Sequence, residues 1–189
     1  MREDGSIGVG VLGLGVIGGQ VARVLLHQAK RFANQVGVPI VLHRAADIDV
    51  SKLNASGLPN HLLTTDAANV VIDPDVDIIV ELIGGVDPAM NFLTTSLSHG
   101  KHVVTANKEL MAKKGQDLIE LADQNGSYLL YEASVGGGIP IIGPLQKDLL
   151  ANEITRMHGI INGTTNYIVS KMSHEGLDFD SALLQAQAS

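Results

Sequence analysis

Residues 7–19, IGVGVLGLGVIGG, constrain the chain more than any other stretch. An apolar run meets three glycines, Gly13, Gly15 and Gly18, and opens directly into VARVLLHQAK, where Val21, Val24 and Leu25 recur at helical spacing. The reading is a buried strand, a turn too tight for a Cβ, and the first turn of a helix. The free N–H groups and positive dipole end of such a helix can hold a diphosphate, so the stretch points to a dinucleotide cofactor. The alternative is a glycine turn that only closes a strand onto a helix.

Composition narrows the partners. At 189 residues and 45% hydrophobic content, the chain can bury one full core and part of a second. A net charge of −7 with no basic block leaves no electrostatic footprint for nucleic acid, and 3% aromatics with no tryptophan leave little to stack bases on. The absence of cysteine excludes disulfides, thiolate nucleophiles and Cys-based zinc sites. No apolar run approaches the roughly 18 residues of a membrane span, and MREDGS lacks the layout of a signal peptide. The expectation is a soluble cytoplasmic protein with neither a nucleic-acid nor a membrane partner.

Strand and helix signals then alternate along the chain. The first helix is expected to run about five turns to the stop at Gly37 and Pro39. IVLHRAADI, residues 40–48, reads as the second strand and closes on Asp47 and Asp49. In a unit of this kind the strand-end acid accepts hydrogen bonds from the adenosine ribose, so Asp47 is the candidate; a solvated acid is the alternative. Arg44 lies within the strand and is given little weight as a phosphate ligand. Residues 51–63 read as a polar connection, TTDAANVV as a short capped helix, and VDIIVELIGG as a strand ending in Gly84 and Gly85. Asp87 is expected to cap the next helix, with Pro88 at its first position and Gly100 at its end. HVVTAN is the fourth strand, NKELMAKKGQDLIELADQNG a helix, SYLLYEASVGGG a fifth strand, and GIPIIGPLQKDLLA a helix interrupted at Gly143-Pro144. The remainder supplies a strand, a glycine turn, a helix and the start of another helix.

This alternation predicts an α/β fold of the Rossmann type, doubly wound on a mainly parallel sheet. The expected domains are residues 1–151 for the nucleotide-binding unit and 152–189 for the start of a second, α+β catalytic domain. An amphipathic DSALLQAQ with no C-cap suggests that this second domain is truncated.

Ligands of such sheets lie outside the carboxyl ends of the strands, where GLGVIGG, ELIGG, TANKE and YEASVGGG converge. Lys108 sits at a helix start, the wrong end for a cation on dipole grounds, and so is a candidate for contact with cofactor or substrate; an ordinary solvated lysine is the alternative. Glu132 ends an apolar strand and needs partners, either a hard cation with the carbonyls of the following glycine turn or backbone N–H groups alone. Thr164 and Thr165 stand at a helix N-terminus, as ligand contacts or as a simple cap. The histidines show no ligand spacing, and SVGGG lacks the G-x-S-x-G elbow of a hydrolase.

GLGVIGG, ELIGG, TANKELMA, YEASVGGGIPII and GIINGTTNYI, in this order and at about this spacing, make the chain resemble the homoserine dehydrogenase family over nearly its whole length. The resemblance implies an NAD(P)-dependent oxidoreductase interconverting aspartate 4-semialdehyde and homoserine, on the route to threonine, methionine and isoleucine. Its cofactor contacts would fall on Gly13, Leu14, Gly15, Val16, Ile17, Gly18, Gly84 and Lys108, with Lys108 also supporting catalysis. Its monovalent cation site, usually sodium, would fall on Glu132 with the carbonyls of Val135, Gly137 and Ile139. Its substrate-side glycine and threonine would be Gly163 and Thr164. NADP-preferring members often carry an arginine where Ile48 stands, so NAD is favoured. The family's catalytic acid/base lysine segment has no counterpart in these residues, and the whole protein would be a homodimer. The alternatives are a dinucleotide-binding module without catalysis, or a dehydrogenase of another small amino acid or sugar phosphate.

Overall fold

A computed structural model describes residues 4–160 and 162–188 of the chain. Two compact units form, Met1–Gln146 and Lys147–Ser189. The first holds a six-stranded, all-parallel sheet of β1 (Ile7–Leu12), β2 (Ile40–Ala46), β3 (Leu63–Thr64), β4 (Ile78–Glu81), β5 (His102–Thr105) and β6 (Leu129–Leu130) in the order β3-β2-β1-β4-β5-β6. This is the doubly wound, Rossmann-like α/β arrangement, and its order reverses between β1 and β4.

The two-residue period of the strands sorts their side chains between two cores. Val9 and Val11 of β1 join Leu42 and Ala45 of β2 with Ala22, Leu53, Leu58 and Leu62. On the other face Leu12 and Ile79 join Val70, Val71, Leu93, Leu97, Leu110 and Leu118. Leu93, Leu97, Leu110 and Leu118 are fully buried, each contributing about 1.5–3 kcal/mol. Gly10 completes the second face, because a Cβ there would come within 2.7 Å of Val70 Cγ1.

Helices α1 (Val16–His27), α2 (Ala29–Val36), α3 (Val50–Ala55), α4 (Ala67–Ile72), α5 (Ala89–Ser98) and α6 (Lys108–Gln124) complete this unit. Several expectations are corrected. The long first helix breaks at Gln28, whose φ of −110° and ψ of 17° end α1 and start α2; no residue of α2 is buried, so packing does not hold the two collinear. The supposed connection at 51–63 contains α3, capped by Asp49 accepting from Ser51 N and anchored by buried Leu53, and the short β3. Asp66 caps α4 as expected, accepting from Asn69 N, whereas α5 has Pro88 at its N-cap position and no side-chain cap from Asp87. The stretch 138–151 is helical only over residues 142–148, where the π-helical turn Pro144–Asp148 follows directly on Ile142 and Gly143, so the helix is shorter than expected but is not interrupted at Gly143-Pro144.

The second unit contains α7 (Gly163–Glu175) and α8 (Phe179–Ala188), which pack on each other. Residues 153–160, read as a strand, are exposed and have no regular structure; position 161 lies outside the described residues. Among the described residues no helix is long and apolar enough to cross a membrane.

Candidate nucleotide site

The glycine turn leaves β1 under tight constraint. Gly13 has a φ of +91°, and a Cβ on it would approach Leu82 O to 2.7 Å. A Cβ on Gly18 would overlap Gly13 O and stand 2.9 Å from Gly13 C, so α1 could not pack against the turn. Gly15 differs: its φ of −63° suits any residue, and nothing lies within 4 Å of where its Cβ would be. It is exposed at the N-cap of α1, where no side chain caps the helix. The first-turn N–H groups of Val16, Ile17 and Gly18 are therefore available to a ligand.

A cavity of about 550 Å3 opens there, lined by Gly13 and Gly15 with Asp47, Lys52, Asp66 and Ile83. Asp47 does more than end its strand. Its Oδ2 accepts from Leu14 N at 2.7 Å and its Oδ1 from Asp49 N at 2.9 Å, while Lys52 Nζ stands 3.9 Å from Oδ2. The acid thus ties β2 to the glycine turn. Lys52, which the sequence reading passed over, belongs to α3, and only the existence of that helix brings it to the cavity. Arg44 is engaged elsewhere, donating to His43 O and His61 O.

Six of the expected cofactor positions do not line the cavity: Leu14, Val16, Ile17, Gly18, Gly84 and Lys108. Gly84 has a φ of +84° in the loop after β4, Lys108 starts α6, and Val16 points into solvent at 93% exposure. Asn107 caps α6 by accepting from Leu110 N, and among the described residues the Lys108 ammonium has no hydrogen bond or ion pair. The sequence reading also missed Glu81, the last residue of β4 and fully buried. Its signal was an acid set between Val80 and Leu82 in the run IIVELI.

Glu132 has backbone partners. Its Oε1 accepts from Ile141 N at 2.5 Å and Ile142 N at 2.9 Å, and its Oε2 from Gly143 N at 2.7 Å. These amides hold its carboxyl below the usual glutamate range. Gly137 has a φ of +62°, and the turn is pinned by Val135 N donating to Glu132 O and Ile139 N to Gly136 O. One histidine-and-acid grouping does exist: ligand atoms of His43, Asp73 and Asp75 lie within 4.8 Å of one another, brought together from β2 and the turn after α4.

In the second unit, Asn162 rather than a threonine caps α7, accepting from Thr165 N at 2.8 Å. Gly163 and Thr164 occupy the first two helical positions. A shallow cavity beside them is lined by Ile160, Asn162, Thr165 and Asn166.

Comparison with known proteins agrees with this geometry. A family model described as "Homoserine dehydrogenase, NAD binding domain" matches residues 13–132, and one described as "Homoserine dehydrogenase" matches residues 140–189. The homoserine dehydrogenase of Bacillus subtilis strain 168 is 42% identical over 182 residues, covering 96% of this chain and 42% of its own length. A crystal structure of a homoserine dehydrogenase from Thiobacillus denitrificans superposes with a TM-score of 0.88 at 45% identity, covering 97% of this chain and 42% of that one. A hyperthermophilic archaeal homoserine dehydrogenase in complex with NADPH superposes with a TM-score of 0.80 at 26% identity, covering 97% and 61%. The chain therefore spans less than half the length of the bacterial relatives. With both family models in sequence along it, and an open glycine turn where the first of them begins, this chain belongs to the homoserine dehydrogenase family.

Proposed function

We propose that the chain carries the NAD(P)-binding half of an oxidoreductase that interconverts L-aspartate 4-semialdehyde and L-homoserine in threonine, methionine and isoleucine biosynthesis, in the cytoplasm and as a homodimer when whole. The observation that carries this reading is Gly15, which needs no glycine for its own fold yet stands bare at an uncapped helix tip. Amide donors of Val16, Ile17 and Gly18 would take the diphosphate, and Asp47 the adenosine ribose, since a carboxylate has about four acceptor positions and Leu14 and Asp49 occupy two. NAD is favoured over NADP at this end, because Asp47 opposes a 2′-phosphate and already pairs the charge of Lys52.

When bound, the cofactor supplies hydride transfer at its nicotinamide. Lys108 would bring an uncompensated positive charge toward the nicotinamide side, where it supports the developing oxyanion. Gly163 and Thr164 would contact substrate, and the acid/base lysine would come from the part of the family outside the matched residues. Glu132 with the carbonyls of Val135, Gly137 and Ile139 suits a hard monovalent cation such as sodium: the donors are all oxygen, and Oε2 accepts a single amide. Such a cation would fix the turn. Its readout is a sodium-dependent rise in the melting temperature that Glu132→Gln removes.

The test is homoserine oxidation followed through nicotinamide absorbance, with this chain alone and with the chain joined to the part of the B. subtilis relative beyond the match. Turnover by the joined protein that requires homoserine supports the proposal. Cofactor binding without turnover favours a nucleotide-binding module, the second reading that the 42% coverage makes specific. Turnover with other amino alcohols or sugar phosphates but not homoserine identifies another dehydrogenase.

A further inference from the structure

Glu81 is a charged residue sealed completely inside the sheet's ligand-facing end, and nothing above uses it. A carboxylate in that position is costly unless saturated with donors. Here three donors meet it, two from the loop after β4 and one from the last residue of β5, with a fourth from the loop after β5 at longer range. Its Oε2 accepts the Thr105 hydroxyl at 2.6 Å, and its Oε1 accepts Ile83 N at 2.8 Å and Gly84 N at 3.2 Å, with Asn107 Nδ2 approaching at 3.5 Å. Thr105 Oγ1 in turn accepts Asn107 N at 3.0 Å, and Asn107 Nδ2 donates to Gly85 O at 2.6 Å. One carboxylate thereby joins the loop after β4 to the loop after β5, including the cap of α6 and so the placement of Lys108.

The loop it holds has little stiffness of its own, since Gly84 and Gly85 stand at φ of +84° and +73°. Leu82 and Ile83 from this loop line the cavity, and Leu82 N is bonded to Leu12 O at the end of β1. The β1 and β2 ends hold Gly15 and Asp47, on the adenosine and diphosphate side. In a sheet whose order reverses between β1 and β4, the other half of a dinucleotide lies across the β4 and β5 ends. We infer that Glu81 is a positioning residue for the nicotinamide half of the cofactor, keeping residues 82–85 and the start of α6 in one preorganised arrangement. The inference rests on the cofactor reading and adds a role to a residue that touches no cofactor itself. Without the carboxylate the two loops would be ordered only on binding, and that ordering reduces affinity by the fraction of molecules already arranged.

The experiment is calorimetric titration of NAD+ and, separately, of ADP, which lacks the nicotinamide and its ribose, into the 189-residue chain and its variants. Glu81→Gln keeps the shape but loses acceptor capacity; it is expected to weaken NAD+ about tenfold, the effect of one lost charge-assisted bond, and to leave ADP within about twofold. Thr105→Val is expected to act in the same direction and Thr105→Ser to restore NAD+ affinity, so a Glu81 variant that fails to fold does not end the test. Equal losses for NAD+ and ADP would make Glu81 a general fold element and overturn the inference, as would NAD+ affinity unchanged in both Glu81→Gln and Thr105→Val. If the unaltered chain binds neither nucleotide, the cofactor reading fails and takes the inference with it; if it binds both and only the variants disappoint, the inference alone fails.

Discussion

The three glycines of the opening turn should separate cleanly when each is given a methyl group. At Gly15 the backbone suits any L-residue and the new Cβ meets nothing within 4 Å. Replacing glycine by alanine at an N-cap costs roughly 0.5–1 kcal/mol, and stiffening the unfolded chain returns about as much, so the melting temperature of Gly15→Ala should move by no more than about 4 °C. Binding is another matter, because the methyl stands where a diphosphate oxygen must approach the helix amides. Losing one such charge-assisted bond costs about 1.5–3 kcal/mol, a roughly 10- to 100-fold weaker Kd for NAD+. Gly18→Ala should behave in the opposite sense. Its Cβ would overlap Gly13 O, a backbone atom that cannot rotate away, and forcing α1 off β1 costs about 1–3 kcal/mol or more. Circular dichroism melts and calorimetric NAD+ titrations on both variants decide the matter. A Gly15→Ala protein that melts like Gly18→Ala, or one that binds NAD+ undiminished, would refute the division of labour.

Asp47→Asn removes the charge set against a 2′-phosphate and one of the two acceptors, so NAD+ affinity should fall about tenfold while the NADP+ to NAD+ affinity ratio rises; an unchanged ratio contradicts the ribose assignment. Lys101 is nearly buried and donates from Nζ to Asp73 O and Val76 O, both at 2.5 Å, and burial lowers its pKa. Lys101→Met should therefore cost about 2–4 kcal/mol in denaturant unfolding, and an unshifted midpoint would count against those bonds. The carboxyl of Glu132 is held low by three amides, so its contribution to the turn is complete above the ordinary glutamate value of about 4.3 and is lost as pH falls through its lowered folded value. The protection of the Ile141 and Gly143 amides against exchange should accordingly be lost as pH falls below the ordinary glutamate range, and Glu132→Gln should abolish that step.

The parallel sheet was legible because strands buried on both faces read as short apolar runs, as in IGVGVL and IIV. β3 was not: its two residues carry no period, and it exists because Ala45 and Ala46 offer it an edge to pair with. The same absence of local signal hid α3, and with it Lys52. Asp47 was found by position but only half understood, since its bond to Leu14 N spans a gap in sequence that no local pattern reports. Glu132 was judged to need partners, and the structure gives it the amides of Ile141, Ile142 and Gly143 at the start of the next helical segment, a pairing no local pattern reports. Glu81 escaped because its meaning lies in Thr105 and Asn107, which reach it only once β4 and β5 are side by side.

The most direct measurement is an NMR titration of the 15N-labelled chain with NAD+, following each backbone amide. The account predicts that Gly15, Val16, Ile17 and Gly18 shift most and saturate together, with Leu14 and Asp49 following through Asp47. Saturating shifts confined to other parts of the chain, or none at millimolar NAD+, would contradict it.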